Sequence, residues 1–84
     1  MFDIKFNSRC QKILKKYHKE VRTRILNKII LLRNEPVPSD AKKIINVKGK
    51  MFRIRIGDYR VLYVINFKDK EIYISNIDKR ERIY

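Results

Sequence analysis

Residues 51–63 constrain the fold more than any other stretch of this chain. Apolar and polar residues alternate there on both sides of a Gly57-Asp58 pair. Glycine supplies the positive φ that the first central position of a type II′ turn needs, so the pattern predicts a tight hairpin of two antiparallel strands. In that register Arg55 lies opposite Arg60. Because side chains alternate across a strand, one face of the predicted hairpin is apolar. It carries Phe52, Ile54, Ile56, Tyr59, Val61 and Tyr63.

The opposite face of the predicted hairpin carries three arginines, Arg53, Arg55 and Arg60. Like charges that face each other across a sheet are destabilising. One interpretation is that these long side chains simply spread into water. The other is that an anion binds between them, because the planar and weakly hydrated guanidinium group suits phosphate.

The charge of the chain favours a polyanionic partner. Its 84 residues include 22 lysines and arginines against 9 aspartates and glutamates, a net charge of +13. Such an excess favours binding to phosphates through the release of counterions. The alternative is a surface of paired lysines and glutamates, as in thermophilic proteins, but this chain has too few acidic residues for that pattern. Nucleic acid is favoured over a membrane because no helical pattern leaves a strongly apolar face for lipid.

Length and composition predict a single domain that spans residues 1–84. Cys10 is the only cysteine, which excludes an intramolecular disulfide and favours a reducing compartment. No run approaches the ~18 apolar residues of a membrane span, and the N-terminus is unlike a signal peptide. We therefore expect a cytoplasmic, soluble domain. With one histidine, one cysteine and no glycine-rich phosphate loop, we expect neither a metal nor a cofactor.

The rest of the chain predicts two helices and further strands. Alternation over residues 2–6 indicates a short strand, after which Asn7 or Ser8 caps a helix. A second helix is expected to end near Asn34 because Pro36 follows, and His18, between the helices, is expected to be a cap or packing residue. The apolar helix positions are Ile13, Leu14, Tyr17, Val21, Ile25, Ile29 and Leu32. Further strands are expected at 44–47, 51–56, 59–67 and 72–77, with Ile72 and Ile74 on the core face.

This β-α-α-β-β-β-β order predicts an α+β fold. We expect an antiparallel β-sheet with the N-terminal helical hairpin packed on one face, since both helices precede the hairpins. The other face of the sheet would then be open and would carry the three arginines. A basic, open sheet face suits RNA.

Two segments resemble the RelE/ParE superfamily of toxins from toxin–antitoxin systems. They are residues 52–63, with the sequence Phe-Arg-Ile-Arg-Ile-Gly-Asp-Tyr-Arg-Val-Leu-Tyr, and residues 79–84, Lys-Arg-Glu-Arg-Ile-Tyr. The helical hairpin, with residues 19–22 between its arms, is similar too, so the resemblance covers nearly the whole chain and implies a RelE-like fold. RelE-like members are ribosome-dependent endoribonucleases that cut mRNA in the ribosomal A site. ParE-like members poison DNA gyrase and lack the catalytic set.

The resemblance also implies roles for individual residues. The implied catalytic residues are Arg60, Arg80 and the terminal Tyr84, which would stack on a base of the substrate near the attacking 2′-hydroxyl. The RNA-binding candidates are Arg53, Arg55, Arg82 and Lys50. At positions 53 and 55 the best-known members carry lysines, and arginine keeps the charge but does not exchange a proton. The alternative for Tyr84 is a hydrophobic C-terminal anchor.

These implications add up to a specific expectation. The chain would be the toxin of a type II toxin–antitoxin system, cutting mRNA by attack of a 2′-hydroxyl, without a metal, to leave a 2′,3′-cyclic phosphate. Its partners would be a RelB-like antitoxin, the ribosome and mRNA. A ParE-like gyrase inhibitor and a plain RNA-binding module are the alternatives.

Overall fold

A computed structural model of the chain describes residues 1–44 and 50–79. These residues form two helices and five strands. The elements are β1 (Asp3–Phe6), α1 (Ser8–Lys16), α2 (Lys19–Leu31), β2 (Lys42–Lys43), β3 (Lys50–Ile56), β4 (Tyr59–Asn66) and β5 (Glu71–Lys79). The predicted α+β class and the element order are thereby confirmed.

The central hairpin has the predicted register. Arg55 pairs with Arg60 across the two strands, and the same antiparallel ladder places Ile54 opposite Val61 and Phe52 opposite Tyr63. Gly57 has a φ of +58°, while Asp58 is not among the residues with positive φ. One positive φ, at the first central position only, is the signature of a type II′ turn.

Both helices begin at capping residues that the sequence indicates. The side chain of Asn7 accepts a hydrogen bond from the Cys10 N–H at 2.7 Å, which satisfies an amide that the first turn of α1 leaves unpaired. At the start of α2 the His18 Nδ1 accepts from the Glu20 N–H at 3.4 Å. His18 is thus a helix cap, as predicted.

One hydrophobic core joins the helices to one face of the sheet. The helices contribute Cys10, Leu14, Ile25, Ile29 and Leu32, and the sheet contributes Phe52, Ile54, Ile56, Val61, Tyr63, Ile65, Ile72, Ile74 and Ile77. At about 25 cal/mol per Å² of apolar surface removed from water, this layer is the main stabilising contribution. The opposite face of the sheet, called the open face below, carries no helix among the described residues.

The sheet order is β1-β5-β4-β3-β2, and one edge departs from the prediction. Strand β1 pairs with β5 in parallel, not antiparallel, so the sheet is mixed. The reason is topological: the helical hairpin carries the chain away from β1, and β5 then returns beside it in the same direction. Neither helix in the described part of the chain is long and apolar enough to cross a membrane.

The bounds of β2 and β5 differ most from the prediction. Strand β2 is formed by Lys42 and Lys43, two residues before the predicted strand at 44–47, and Ile44 follows it with its N–H donated to the Met51 carbonyl at 2.9 Å. Residues 45–47 lie outside the described part of the chain. Strand β5 continues past the predicted end at residue 77 and includes Asp78 and Lys79.

Candidate nucleic-acid interface

The structure places the three predicted arginines of the hairpin together on the open face. Arg53, Arg55 and Arg60 all alternate with core residues along their strands, so their side chains point away from the helices. Arg55 is exposed, whereas Arg53 and Arg60 are half-buried. The register brings Arg55 directly opposite Arg60 and puts Arg53 two pairs further along, opposite Leu62. This is the arrangement that the sequence predicted.

The structure adds an acidic residue to this group. Arg60 lies between two neighbours in the sheet, with Arg55 across from it on β3 and Asp78 across from it on β5. The Nε of Arg60 donates to Oδ1 of Asp78 at 3.4 Å. A carboxylate on one side therefore partly offsets the repulsion from the arginine on the other, which explains how the like-charged pair is tolerated.

A β-bulge is what turns Asp78 toward the arginines. Leu62 pairs with Asn76 and Tyr63 pairs with Ile74, so Ser75 is an extra residue in β5. Before the bulge Ile72 and Ile74 face the core; after it Ile77 does, which shifts the buried positions by one. Without the extra residue, strict alternation would direct Asn76 and Asp78 into the core. The bulge thus gives the open face its only carboxylate next to Arg60 among the described residues.

Asp78 is held from its other side by an amide. The Nδ2 of Asn76 donates to Oδ2 of Asp78 at 3.3 Å, and Oδ1 of Asn76 accepts from Arg9 of α1 at 3.1 Å. The α1 cap also contacts the bulge, since Nδ2 of Asn7 donates to the Ser75 carbonyl at 3.3 Å. A chain of polar contacts therefore runs from the start of α1 through β5 to Arg60.

Strand β2 brings a further basic residue to the open face. Lys42 pairs with Arg53 in the antiparallel β2–β3 ladder. Residues directly opposite each other in such a ladder share a face, so Lys42 lies beside the arginines. Sequence reasoning missed this residue because it placed the strand over the apolar run that begins at residue 44.

Lys50 is not brought together with the arginines. It pairs with Ile65 and alternates in phase with Phe52, so its side chain is on the helix side of the sheet. Its Nζ lies 5.8 Å from the centroid of the Phe67 ring, within reach of a cation–π contact. The remaining predicted site residues, Arg80, Arg82 and Tyr84, lie outside the described part of the chain.

Tyr17, Tyr63 and Tyr73 are poor candidates for a general base. Burial, with a smaller contribution from the Asp40 charge, raises the pKa of Tyr63 to about 12. Burial, followed by the charges of Tyr59 and Asp78, raises the pKa of Tyr17, and the hydrogen bond to Glu71 raises that of Tyr73. A raised pKa keeps a phenol protonated at neutral pH, so none of these three hydroxyls is prepared to accept a proton.

Comparison with known proteins identifies the family. Residues 4–84 match the family model described as the ParE toxin of type II toxin–antitoxin systems. The chain belongs to this toxin family. A curated relative named toxin RelE1, from Methanocaldococcus jannaschii, is 32% identical over 85 residues, which cover 99% of this chain and 94% of that protein.

Solved structures place the toxin with RelE in its fold. The archaeal RelE–RelB complex from Pyrococcus horikoshii contains a chain of 34% identity and TM-score 0.86, with 96% of this toxin and 97% of that chain covered. The isolated Escherichia coli RelE toxin is 19% identical and has a TM-score of 0.84, with 98% of this toxin and 87% of that chain covered. The protein is thus a RelE-like toxin of a toxin–antitoxin system, and the predicted RelE/ParE membership is confirmed.

Proposed function

We propose that this toxin is a ribosome-dependent endoribonuclease that cleaves mRNA in the A site of cytoplasmic ribosomes. The observation that carries the proposal is the pairing of Arg55 with Arg60 on an open sheet face, with Arg53 and Lys42 beside them. Four basic side chains there can contact the backbone of a single RNA strand without any reading of base edges. The 34% identity to a RelE chain is in keeping with this activity.

In the proposed reaction, the 2′-hydroxyl of the mRNA attacks the adjacent phosphorus. The bond to the 5′-oxygen of the next nucleotide breaks, leaving a 2′,3′-cyclic phosphate and a 5′-hydroxyl. Negative charge builds up on the phosphorane, and fixed cations near it lower the barrier. Arg60 and Arg80 are assigned to that charge, with Arg80 near the leaving oxygen.

The remaining residues are assigned to binding. Arg53, Arg55, Lys50 and Arg82 would contact the RNA backbone, with Lys50 at the margin because it stands on the helix side of β3. Tyr84 would stack on a base and lie near the attacking hydroxyl. Arginines keep their protons, and the described tyrosines have raised pKa values where a shift is resolved. An enzyme without an efficient acid or base depends on the geometry in which its substrate is held, which supports ribosome dependence.

The partner that we propose is an acidic RelB-like antitoxin. RelE chains of known structure include those in RelE–RelB complexes. This toxin offers a groove between β1 and α2 beside the exposed apolar side chains of Leu26 and Ile30, which are 38% and 54% exposed. An amphipathic segment that folds on binding could cover this groove and also offset the +13 charge. Co-expression with the neighbouring reading frame and purification through a tag on the toxin tests for a stable complex.

The test of the nuclease is cleavage of mRNA on programmed ribosomes by single-site variants. Arg60→Ala should lower the single-turnover rate by ~10²–10³-fold, the usual loss for one donor to a transition-state charge. Lys12→Ala is the matched control, because Lys12 is an exposed cation of α1, on the opposite side of the sheet. Equal rates for the two variants would contradict the assignment of Arg60.

Two variants of the terminal tyrosine separate its two assigned roles. Tyr84→Phe keeps the aromatic surface but removes the hydroxyl, whereas Tyr84→Ala removes both. A large loss with Tyr84→Phe assigns hydrogen bonding or proton transfer to the hydroxyl. A loss confined to Tyr84→Ala assigns stacking. No loss with either variant would favour the C-terminal anchor.

A gyrase inhibitor is the second candidate, because the matching family model is that of ParE toxins. The two activities separate cleanly in cells. Sequencing the 5′ ends of mRNA after induction should reveal new cuts within codons for the nuclease only. A supercoiling assay with purified gyrase should respond only to the inhibitor.

A further inference from the structure

We propose that Asp78 is a specificity-determining residue, an internal competitor that occupies Arg60 until a firmly held RNA phosphate displaces it. This inference rests on the proposed function, since it deepens the account of how the arginine site selects its substrate. Neither the sequence pattern nor the resemblance to RelE toxins assigned any role to Asp78.

The geometry of the contact suits a competitor more than a permanent structural pair. The Nε of Arg60 donates to Oδ1 of Asp78 at 3.4 Å, which is longer than the ~2.7–2.9 Å of a strong charge-assisted hydrogen bond. The Asp78 side chain is 46% exposed, whereas that of Arg60 is 18% exposed. An ion pair with one partner partly in solvent contributes little to stability. The aspartate can therefore leave at little cost, while Arg60 stays in the sheet.

The surrounding contacts hold the Asp78 carboxylate on the open face, next to Arg60. The bulge at Ser75 turns it to the open face, the Asn76 amide donates to its second oxygen, and Arg9 fixes Asn76. Since Asn76 supplies a donor of its own, Asp78 has a partner to remain with after it separates from Arg60. A carboxylate and a phosphate oxygen compete for the same donors, so Asp78 stands where RNA would bind.

The consequence is selectivity between loosely and firmly held RNA. A toxin of net charge +13 binds free RNA of any sequence. Such non-specific binding would hold the toxin away from its target. Because a phosphate must first displace Asp78 from Arg60, the competing carboxylate lowers the affinity for free RNA, which then no longer saturates the site. A strand whose phosphate is already positioned against the arginines has a high effective concentration and overcomes the competition.

The test measures binding of a short single-stranded RNA with 2′-O-methyl groups, which the proposed reaction cannot cleave. Fluorescence anisotropy is recorded for the whole chain and for Asp78→Asn, with Asp78→Ser as a second variant. We expect both variants to bind the RNA about two- to fivefold more tightly, the range for one partly exposed charge pair. The log–log salt slope should steepen by up to ~0.7, the value for one more phosphate contact on a single strand.

Two controls separate competition from a general change in charge. Glu35→Gln makes the same change in net charge in the exposed loop after α2, away from Arg60. Its affinity for the RNA should stay within about 1.5-fold of the wild-type value. In an Arg60→Gln background, Asp78→Asn should lose its effect, because the competitor then has no cation to occupy. Circular dichroism confirms that each variant is folded.

Three results would each overturn the proposal: unchanged or weaker RNA binding by both Asp78 variants, the same gain from Glu35→Gln, or the same gain in the Arg60→Gln background. The outcome is independent of catalysis. If the wild-type toxin cuts no mRNA while Asp78→Asn still tightens RNA binding through Arg60, the nuclease fails and the competitor stands. If Arg60→Ala abolishes cleavage while Asp78→Asn has no effect on binding, the nuclease stands and the competitor role of Asp78 fails.

Discussion

Tyr63 offers the sharpest test of how the tertiary structure stabilises this toxin. Its ring is fully buried at the centre of the sheet, where it stacks on Phe52 with a centroid separation of 6.0 Å. Its hydroxyl donates to the Pro36 carbonyl at 2.7 Å and so ties the connector after α2 to β4. We predict that Tyr63→Phe, which removes only this hydroxyl, costs about 1 kcal/mol of unfolding free energy at neutral pH.

The pH dependence follows from the pKa of the same group. Burial raises the pKa of Tyr63 in the folded chain to about 12, against about 10 in the unfolded chain. Since the folded pKa is the higher one, the stabilisation is complete below pH 10 and is lost as the pH rises toward 12. At ~1.4 kcal/mol per pKa unit, the two-unit difference corresponds to about 2–3 kcal/mol in all, of which about 1 kcal/mol is lost by pH 11.

The assay is urea unfolding at pH 8, 10 and 11, followed by circular dichroism. The wild type should be more stable than Tyr63→Phe at pH 8, and the two should converge near pH 11. The titration of lysines and of the other tyrosines is common to both proteins and cancels in their difference. Tyr73→Phe is the comparison at pH 8: because Tyr73 is 41% exposed, loss of its hydroxyl should cost less stability than loss of the Tyr63 hydroxyl. A difference between wild type and Tyr63→Phe that stays constant from pH 8 to pH 11 would refute the reasoning.

Three further predictions concern the hairpin, the first helix and the core. Gly57→Ala should cost about 1–2 kcal/mol because a side chain at φ +58° is strained, and Gly57→Asn should cost less; equal costs in urea unfolding would contradict the turn assignment. Asn7→Ala should cost about 1 kcal/mol through loss of the α1 cap, and Asn7→Asp, which keeps the acceptor, should recover most of it. Ile54→Ala should cost ~2–5 kcal/mol because Ile54 is fully buried, whereas Ile30→Ala, at a 54% exposed position, should change the stability by less than about 0.5 kcal/mol. Similar thermal midpoints for these two isoleucine variants would show that the core is misplaced.

Local pattern was sufficient for the elements of this fold. The Gly57-Asp58 pair between two alternating runs determines the hairpin, and with it the position of Arg55 opposite Arg60, because the turn type sets the register of the whole ladder. Asn7 and His18 indicate where the helices begin for a similarly local reason, since a cap bonds amides within its own first turn.

The pairing of distant segments was decided only by the tertiary structure. Nothing in residues 2–6 indicates that β1 pairs in parallel with β5, since strand direction depends on how the intervening chain crosses the sheet. The bulge at Ser75 is equally hidden, because an extra residue exists only relative to its partner strand. That bulge is the reason why Asp78 lies on the same face of the sheet as the arginines. A sequence pattern assigns faces within one strand, but the contact between Asp78 and Arg60 arises where two separately patterned strands meet.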